Sequence, residues 1–361
     1  MTGPLKRYRD YNSYLREIFG ERVQKIPLDA GFTCPNRDGA ISRGGCIYCD
    51  RRGSGSGAMT QRGESLDEQI IRGMNWARKK YGASRFIAYF QSFTNTYGPV
   101  PRLRDLYDRA LKHEGMVGLS VGTRPDCVDG SVLGLLATYR EDFLVWLELG
   151  LQSAHDSTLL QINRGHDVAC FDRAVAEAHA RGLNICAHVI LGLPGETREM
   201  MMETARHLAV LAVEGVKIHA LYVVEGTPLA ELYNRGGYRC LEREEYVDLV
   251  LDFLERLPPS LVVHRLTGDP IPDELVAPLW MREKSRTLNL MRKRFEERDT
   301  RQGKWFDSLT TLSHVEGQNT NDPNSNDPNA DGLVKSPPGR HSRAGGSLED
   351  LEKTGFPPSR E

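Results

Sequence analysis

The sequence predicts an α/β protein whose parallel strands form a complete or partial β/α barrel. Three observations lead to this prediction. Short apolar runs alternate with amphipathic helical patterns from about residue 26 to residue 266, the runs lack regular polar alternation, and 39% of the residues are hydrophobic, as in a globular protein. Strands of this kind are typical of parallel sheets covered by helices. We therefore expect the functional site at the carboxyl ends of the strands.

Seven apolar or β-branched runs are interpreted as strands. They are Ile26–Leu28, Phe86–Gln91, Val117–Val121, Leu144–Leu149, Ile185–Leu191, Val216–Val223 and Leu261–Arg265. Helical patterns separate them, so each strand is expected to run parallel to its neighbour.

The helices between these strands have recognisable ends. Ser65–Glu68 has the pattern of a capping box and precedes an apolar series at helical spacing. Pro99 and Pro101 introduce a second helix, since proline is well tolerated in a first turn. A third helix over Ala169–Arg181 is expected to end at Gly182, because glycine readily adopts the left-handed conformation that follows a helix.

We divide the chain into four segments. They are a basic and aromatic N-terminal segment (1–25), the barrel core (26–268), a basic helical extension (269–305) and a low-complexity tail (306–361). The tail repeats Asn-Asp-Pro-Asn at 321–324 and 326–329 and is rich in proline, glycine and serine. Because it has almost nothing to bury, we expect it to be disordered.

Charge and hydropathy indicate in which compartment we expect the protein. The formal net charge is −2, so no overall field attracts nucleic acid or membranes, and such affinity requires a local patch. No apolar run reaches the roughly 18 residues that a membrane span needs, and the first residues lack a signal core. We expect a cytoplasmic protein without a membrane partner. Its seven cysteines are then better suited to metals or catalysis than to disulfides.

Three of the cysteines follow the first predicted strand closely. Eleven residues separate Cys34 from Cys46 and two separate Cys46 from Cys49, within a loop rich in glycine and arginine. A structural zinc site normally has four ligands, and a thioredoxin-like pair needs only two. Three thiolates on a cluster of four irons would leave one iron open for catalysis. The remaining reading is coincidence, in which the trio, like Cys127, Cys170, Cys186 and Cys240, are small buried side chains.

Several segments resemble the radical S-adenosylmethionine (SAM) enzymes. Residues 34–39 and 45–49 resemble their cysteine loop, although the first spacing is longer than the commonest one. Four further segments resemble motifs of the Elongator catalytic-subunit branch, in the same order. These are Thr123–Asp126, Glu148–Ser153, Ile162–His166 and Gly192–Thr197. The resemblance extends from about residue 8 to residue 305 and includes bacterial proteins of the YhcC/YtqA type.

The resemblance implies a set of cofactors and site residues. Cys34, Cys46 and Cys49 would bind a [4Fe–4S] cluster, which would cleave SAM reductively to a 5′-deoxyadenosyl radical that abstracts hydrogen from a substrate. An electron donor such as flavodoxin or ferredoxin is implied as well. The residues expected to contact SAM are Tyr48, Gln91, Thr94, Gln152, Ser153, Arg164 and Gly192. Local turns or an ordinary salt bridge are the alternative explanations for several of them. No catalytic residue is assigned, because a hydrogen-bonded core position is the commoner outcome for histidines placed like His188 and His219.

Transfer RNA is the substrate class that the resemblance implies, since Elongator-branch proteins act on wobble uridine. Residues 282–304 contain nine basic and four acidic residues, and the first 25 residues combine basic side chains with Tyr8, Tyr11 and Tyr14. Such composition is suited to phosphates and unpaired bases, or to a solvated helix face. The short tail leaves no room for an acetyltransferase domain, so we expect a reaction different from Elongator's. Two alternatives stay open: a radical SAM enzyme acting on a small metabolite or protein side chain, and a non-enzymatic iron–sulfur or zinc sensor.

Overall fold

A curled parallel sheet forms the centre of the protein. The computed structural model describes residues 6–50, 53 and 63–306, so the predicted tail lies, apart from Phe306, outside the described residues. The strands are β1 Val23–Leu28, β2 Arg85–Phe90, β3 Met116–Thr123, β4 Leu144–Gln152, β5 Asn184–Leu191, β6 Gly215–Ala220, β7 Val223–Val224, β8 Val262–Arg265 and β9 Leu275–Ala277. Their order in the main sheet is β1-β2-β3-β4-β5-β6-β8, with every neighbouring pair parallel. The predicted fold class is confirmed as a half-barrel.

All seven predicted strands occur, with one difference. The run Val216–Val223 is divided between β6 and β7, because the chain leaves the main sheet after Ala220. Val223 then pairs with Ala277 of β9 in a small antiparallel sheet. A continuous apolar run did not reveal this change of partner.

Helices cover the outside of the sheet. The α-helices are α1 Tyr11–Phe19, α2 Pro35–Asp38, α3 Leu66–Tyr81, α4 Val100–Leu111, α5 Gly130–Thr138, α6 Asp156–Gln161, α7 Val168–His179, α8 Arg198–Val210, α9 Pro228–Asn234, α10 Arg243–Glu255 and α11 Lys284–Glu297. Short 3₁₀ helices occur at Pro125–Cys127, Tyr139–Glu141 and Leu279–Arg282. The predicted capping box is present, since Ser65 and Glu68 each accept a hydrogen bond from the other's backbone. Within the described ranges, no helix is both long and apolar enough to cross a membrane.

Contacts across the lumen demonstrate the curl of the sheet. Lys217 Nζ on β6 lies 2.8 Å from the hydroxyl of Tyr89 on β2, although three strands separate them in the sheet. Lys25 Nζ on β1 lies 2.5 Å from Glu148 Oε1 on β4. In a flat sheet, where strands lie about 4.8 Å apart, neither pair of side chains would meet.

The side chains that point into the lumen form layers, because alternate residues of a strand face the same side. The lowest layer is apolar and contains Ile87, Trp146 and Cys186, together with Tyr11 of α1. Two residues further along β2 and β4 come Tyr89 and the fully buried Glu148. The lumen is therefore closed by apolar packing at its amino-terminal end and becomes polar toward the carboxyl ends.

The N-terminal segment forms part of the wall rather than a free arm. The amide of Val263 on β8 donates to the carbonyl of Arg9 at 2.8 Å. Tyr11 is buried and stacks on His264 with ring centroids 3.9 Å apart, and Tyr8 stacks on Phe295 of α11 at 5.9 Å. Tyr14 packs edge-on against a core tryptophan. These rings, suggested by the sequence as a base-stacking surface, are instead used in packing.

Candidate active site

A cavity opens at the carboxyl ends of the strands, where the sequence placed the site. One part of the cavity is lined by the three cysteines of the loop. Predicted SAM contacts and two further arginines line it as well. Together these residues are Cys34, Cys46, Cys49, Arg37, Tyr48, Gln91, Thr94, Gln152, Arg164 and Arg124. The opposite half is lined by residues of β5, β6 and β8 and the segments that follow them, including His188, His219, Tyr222, Arg265 and Asp269.

The cysteine loop, residues 34–49, is shaped by its glycines and by backbone hydrogen bonds. Cys34 precedes α2, and its carbonyl accepts the amides of Arg37 and Asp38. Gly44 and Gly45 have φ angles of 92° and 81°, a region that favours glycine. The amide of Cys49 donates to the carbonyl of Cys46 at 2.9 Å. These turns bring three distant thiols to one cavity.

The segment Ile162–His166 holds this loop in place. Asn163 donates from Nδ2 to the carbonyl of Gly45 at 2.7 Å, and Asn36 donates to the carbonyl of Asn163 at 2.6 Å. A Cβ on Gly165 would lie 2.5 Å from Asn36 Oδ1, so glycine is required there by close approach. The Asn-Arg-Gly motif thus positions the cysteine loop.

Arg164 lies beside a cysteine sulfur. Its Nη1 is 3.7 Å from Cys46 Sγ, and its Nη2 donates to the carbonyl of Gly150 at 2.9 Å. The residue is only 7% exposed, its Nε has no partner, and it forms no ion pair with a carboxylate in the described part of the chain. A buried cation requires a compensating anion. The sulfur of Cys46 is the group placed to supply one.

A second guanidinium faces the same thiols. Arg37 Nη1 lies 3.2 Å from Cys49 Sγ and also donates to the carbonyl of Asp50. Burial, with a smaller contribution from Cys46, raises the pKa of the Cys49 thiol to about 12. Its proton must therefore leave when a metal binds, because the thiolate is the ligand.

These residues fit a thiolate-bound cluster. All three thiols are free and line one cavity, and two buried or half-buried guanidinium groups point at their sulfurs. Among residues 6–50, 53 and 63–306, no three cysteine, histidine, aspartate or glutamate side chains are grouped closely enough for a single metal ion. A cluster does not need that arrangement, since each thiolate binds a different iron.

Four of the predicted SAM contacts line the cavity beside the cysteines. Gln91 and Thr94 follow β2, Gln152 ends β4, and Tyr48 precedes Cys49. Gln152 has a φ of 75°, which is unfavourable for a residue other than glycine, and such strained residues cluster at functional sites. The set offers amide and hydroxyl groups for a polar ligand, so it fits SAM.

Two other predicted contacts lie behind the cavity wall. Ser153 is fully buried and donates to Glu196, the last residue of the Gly-Leu-Pro-Gly-Glu motif at 192–196. Gly192 has a φ of 85°, and its carbonyl accepts the Tyr238 hydroxyl at 2.8 Å. In the described structure both residues therefore support the wall.

The sequence reasoning overlooked a polar layer in the lumen below the cavity. Glu148 is fully buried and accepts hydrogen bonds from side chains of four other strands. The donors are Lys25, Ser120, His188 and Lys217. Charged residues within otherwise apolar parallel strands were the signal, because a lumen is the place where such residues can meet. Of this layer the sequence indicated only His188 as a single residue and Glu148 as the start of the Glu148–Ser153 motif.

Burial and the two lysines determine the charges of this layer. Burial alone would raise the pKa of Glu148, but Lys217 and Lys25 outweigh it and hold that pKa well below the usual range. Burial lowers the pKa of Lys217 to about 8, against the attraction of Glu148. Burial and Lys217 lower the pKa of His188 to about 4, so this histidine is neutral at pH 7.

The other four cysteines differ in burial. Cys186 and Cys240 are buried, as expected, whereas Cys127 and Cys170 are half-buried. Cys127 follows Arg124 and Asp126, which form a two-bond ion pair of 2.8 and 2.7 Å. Arg124 also donates to the carbonyl of Arg164 at 2.8 Å, so the Thr123–Asp126 motif supports Arg164.

Comparison with known proteins identifies the family to which the chain is similar. Residues 36–208 match the model of the Radical SAM superfamily, and residues 213–297 match that of the Radical_SAM C-terminal domain. The chain is 43% identical to YtqA of Bacillus subtilis over 304 residues, which are 84% of this chain and 94% of that protein.

Elongator proteins are more distant relatives. The chain is 30% identical to elongator complex protein 3 of Saccharomyces cerevisiae over 165 residues, 43% of this chain and 28% of that protein. Among solved structures, the archaeal Elp3 of Methanocaldococcus infernus with an N-terminal deletion superposes with a TM-score of 0.59 and 19% identity, covering 78% of this chain and 64% of that one. At this identity the likeness concerns the fold.

Proposed function

Since the chain belongs to the radical SAM superfamily, whose members use a [4Fe–4S] cluster and SAM, we propose that Cys34, Cys46 and Cys49 hold the cluster. We also propose that the protein acts on tRNA. The observation that carries the cluster assignment is the convergence of these three thiols with Arg164 and Arg37 in one cavity. When bound, the cluster and SAM supply a carbon radical that abstracts hydrogen.

The chain's own residues would bind and orient the cofactors. Gln91, Thr94 and Gln152 line the cavity beside the cysteine loop and offer hydrogen bonds to polar groups of SAM. The apolar layer of Ile87, Trp146 and Cys186 closes the opposite end of the lumen and limits access of water. A substrate would therefore approach from the carboxyl ends of the strands.

The first experiment tests the cofactor assignment. The protein is purified and reconstituted without oxygen, reduced with dithionite and supplied with SAM, and 5′-deoxyadenosine is measured. We expect about one [4Fe–4S] cluster per chain and formation of 5′-deoxyadenosine. A protein that carries no cluster after reconstitution would contradict the proposal.

A modified wobble uridine of tRNA is the substrate that we propose. The Elongator-like motifs support it, and so does the position of the basic helix α11. Lys284 begins α11, and its Nζ lies 2.7 Å from Asp269, which lines the cavity. Arg292 and Lys293 are exposed two turns further along, about 12 Å away at 1.5 Å per residue. Phosphates bound there would place a neighbouring unpaired nucleotide near the cavity.

The second experiment tests the substrate. Nucleosides of bulk tRNA are compared between cells with and without the gene, grown with and without oxygen. We expect one modified uridine to disappear and its precursor to accumulate. Identical profiles in both conditions would contradict the tRNA proposal and favour a small metabolite or a protein side chain, while 5′-deoxyadenosine formation would still support the cofactor assignment.

A further inference from the structure

We propose that Arg37 and Arg164 raise the reduction potential of the cluster by donating N–H···S hydrogen bonds to its cysteine ligands. The inference rests on the proposed function, because it takes Cys46 and Cys49 as ligands. It adds a role for two residues of this chain in making the cluster reducible by a one-electron donor.

The donors are distributed unequally over the three sulfurs. Arg37 Nη1 lies 3.2 Å from Cys49 Sγ. Arg164 Nη1 and Asn36 Nδ2 each donate to Cys46 Sγ at 3.7 Å, and the Tyr48 hydroxyl also interacts with this side chain. For Cys34, no donor to the sulfur occurs among the described residues. The cationic donors are thus concentrated on the Cys46–Cys49 side of the loop.

The charge of each guanidinium is directed at sulfur rather than at a carboxylate. Arg164 is buried and Arg37 is half-buried, and in the described ranges neither forms an ion pair with aspartate or glutamate. Arg124 provides the contrast, since Asp126 binds it through two hydrogen bonds. In a site shielded from water, an uncompensated positive charge acts strongly on its neighbours.

The direction of the effect follows from the charge change. Reduction transfers one electron from the donor to the cluster, which oxidises the donor and adds one negative charge to the cluster. Positive charge and hydrogen bonds at the sulfurs stabilise the more negative, reduced form, so the potential rises. Removing either guanidinium should make the cluster harder to reduce.

The experiment measures the midpoint potential of the reconstituted full-length protein, without SAM or substrate, by following the electron paramagnetic resonance signal during dithionite titration. The variants are Arg37→Gln and Arg164→Gln, each with a charge-keeping Lys variant beside it. Arg43→Gln is the matched control, because Arg43 lies exposed in the same loop and contacts no cysteine sulfur in the described structure. For each Gln variant we expect reduction to be about tenfold less favourable, which for one electron is a shift of 59 mV to lower potential. The Lys variants should shift less and Arg43→Gln not at all.

The midpoint potential can be measured even when only some of the protein holds a cluster, because it depends on the fraction of the bound clusters that is reduced. If Arg164→Gln failed to take up a cluster, the half-buried Arg37 would decide the test. Midpoints of the available Gln variants equal to those of the unaltered protein and of Arg43→Gln would overturn the inference and leave the proposed function intact. An unaltered protein that takes up no cluster would instead overturn the proposed function.

Discussion

His188 Nε2 on β5 lies 2.9 Å from Glu148 Oε2 on β4, within the polar layer of the lumen. Because the pKa of His188 is lowered to about 4 by burial and by Lys217, the ring is neutral at pH 7. A neutral ring that faces a carboxylate must carry its proton on Nε2 and donate it. Glu148 is thereby bound by one neutral nitrogen, one hydroxyl and two lysines, and its loss would leave the buried Lys217 and the half-buried Lys25 without a counter-charge.

Replacing Glu148 with Gln should destabilise the fold by about 3–5 kcal/mol, because it leaves Lys25 and Lys217 without their counter-charge. The free energy of unfolding in urea at pH 7 measures this. Glu21→Gln is the matched control, since Glu21 pairs with Arg85 at the surface and should contribute less than about 1 kcal/mol. Equal losses in the two variants would contradict the role assigned to the layer.

We also expect the stability difference between the unaltered protein and Glu148→Gln to depend on pH. Lys217 and Lys25 hold the pKa of Glu148 in the folded state well below 4.5. As the pH falls through 4.5, Glu148 therefore stays ionised in the folded state while it becomes protonated in the unfolded chain. The stability that Glu148 provides is therefore fully present above about pH 4.5 and is lost as the pH falls toward the folded pKa. The difference in unfolding free energy between unaltered protein and Glu148→Gln should shrink below that pH. A constant difference down to pH 3 would refute the prediction.

Replacing Cys34, Cys46 or Cys49 with Ala should each abolish SAM cleavage and lower iron content, since a cluster with an open iron uses three thiolates. Cys186→Ala is the control, because Cys186 is buried in the apolar layer and its loss should reduce stability without reducing iron. Iron content, circular dichroism and 5′-deoxyadenosine are measured on each. Formation of 5′-deoxyadenosine by the triple variant would disprove the ligand assignment.

Gly150→Ala should move Arg164 away from Cys46. The added Cβ would collide with the guanidinium group, which donates a hydrogen bond to the carbonyl of Gly150. We expect a midpoint potential as low as that of Arg164→Gln and a loss of about 1–3 kcal/mol of stability from overpacking. Gly134→Ala in α5 is the control, since a Cβ there meets nothing within 4 Å. An unchanged midpoint in Gly150→Ala would show that Arg164 keeps its place.

A chain that ends at Phe306 should fold and bind the cluster like the full chain, since the sequence of the tail offers little to bury. Its free energy of unfolding should change by less than about 0.5 kcal/mol. A chain that ends at Gly303 is the control. It lacks Trp305, whose indole donates to Glu255 at 2.7 Å, and should be less stable. A large loss of iron or stability in the longer chain would mean that the tail has a structural role.

Reversing the charge of Arg292 and Lys293 should weaken tRNA binding and flatten its dependence on salt, because each lost phosphate contact lowers the slope by about one. Arg294 is left in place, since it contacts both Asp248 and Glu297, whereas the more exposed Lys293 pairs with Glu297 alone in the described structure. The double variant Lys79→Glu and Lys112→Glu, on exposed positions of α3 and after α4, controls for net charge. Filter binding over a salt series provides the slopes, and equal slopes for both variants would exclude α11 as the contact.

The sequence by itself determined the strands, the parallel fold class and the three thiols of the site. Strand runs such as Phe86–Gln91 are local, and their apolar character follows from burial on both faces of a parallel sheet. The spacing of Cys34, Cys46 and Cys49 is likewise written in consecutive residues. The Asn-Arg-Gly motif at 163–165 is also local in sequence, although its role in positioning the cysteine loop is not.

The tertiary structure alone decided which side chains meet. Arg164, which stays a predicted SAM contact, also lies 3.7 Å from Cys46 Sγ, because the segment after β4 folds over the loop after β1. The polar layer around Glu148 joins residues up to 128 positions apart, as in the contact of Lys217 with Tyr89, and only the curl of the sheet brings Lys25 to Glu148. Tyr11 likewise looked available for bases until β8 and His264 covered it. Such contacts depend on closure of the barrel, a collective result of many strand registers that no local pattern encodes.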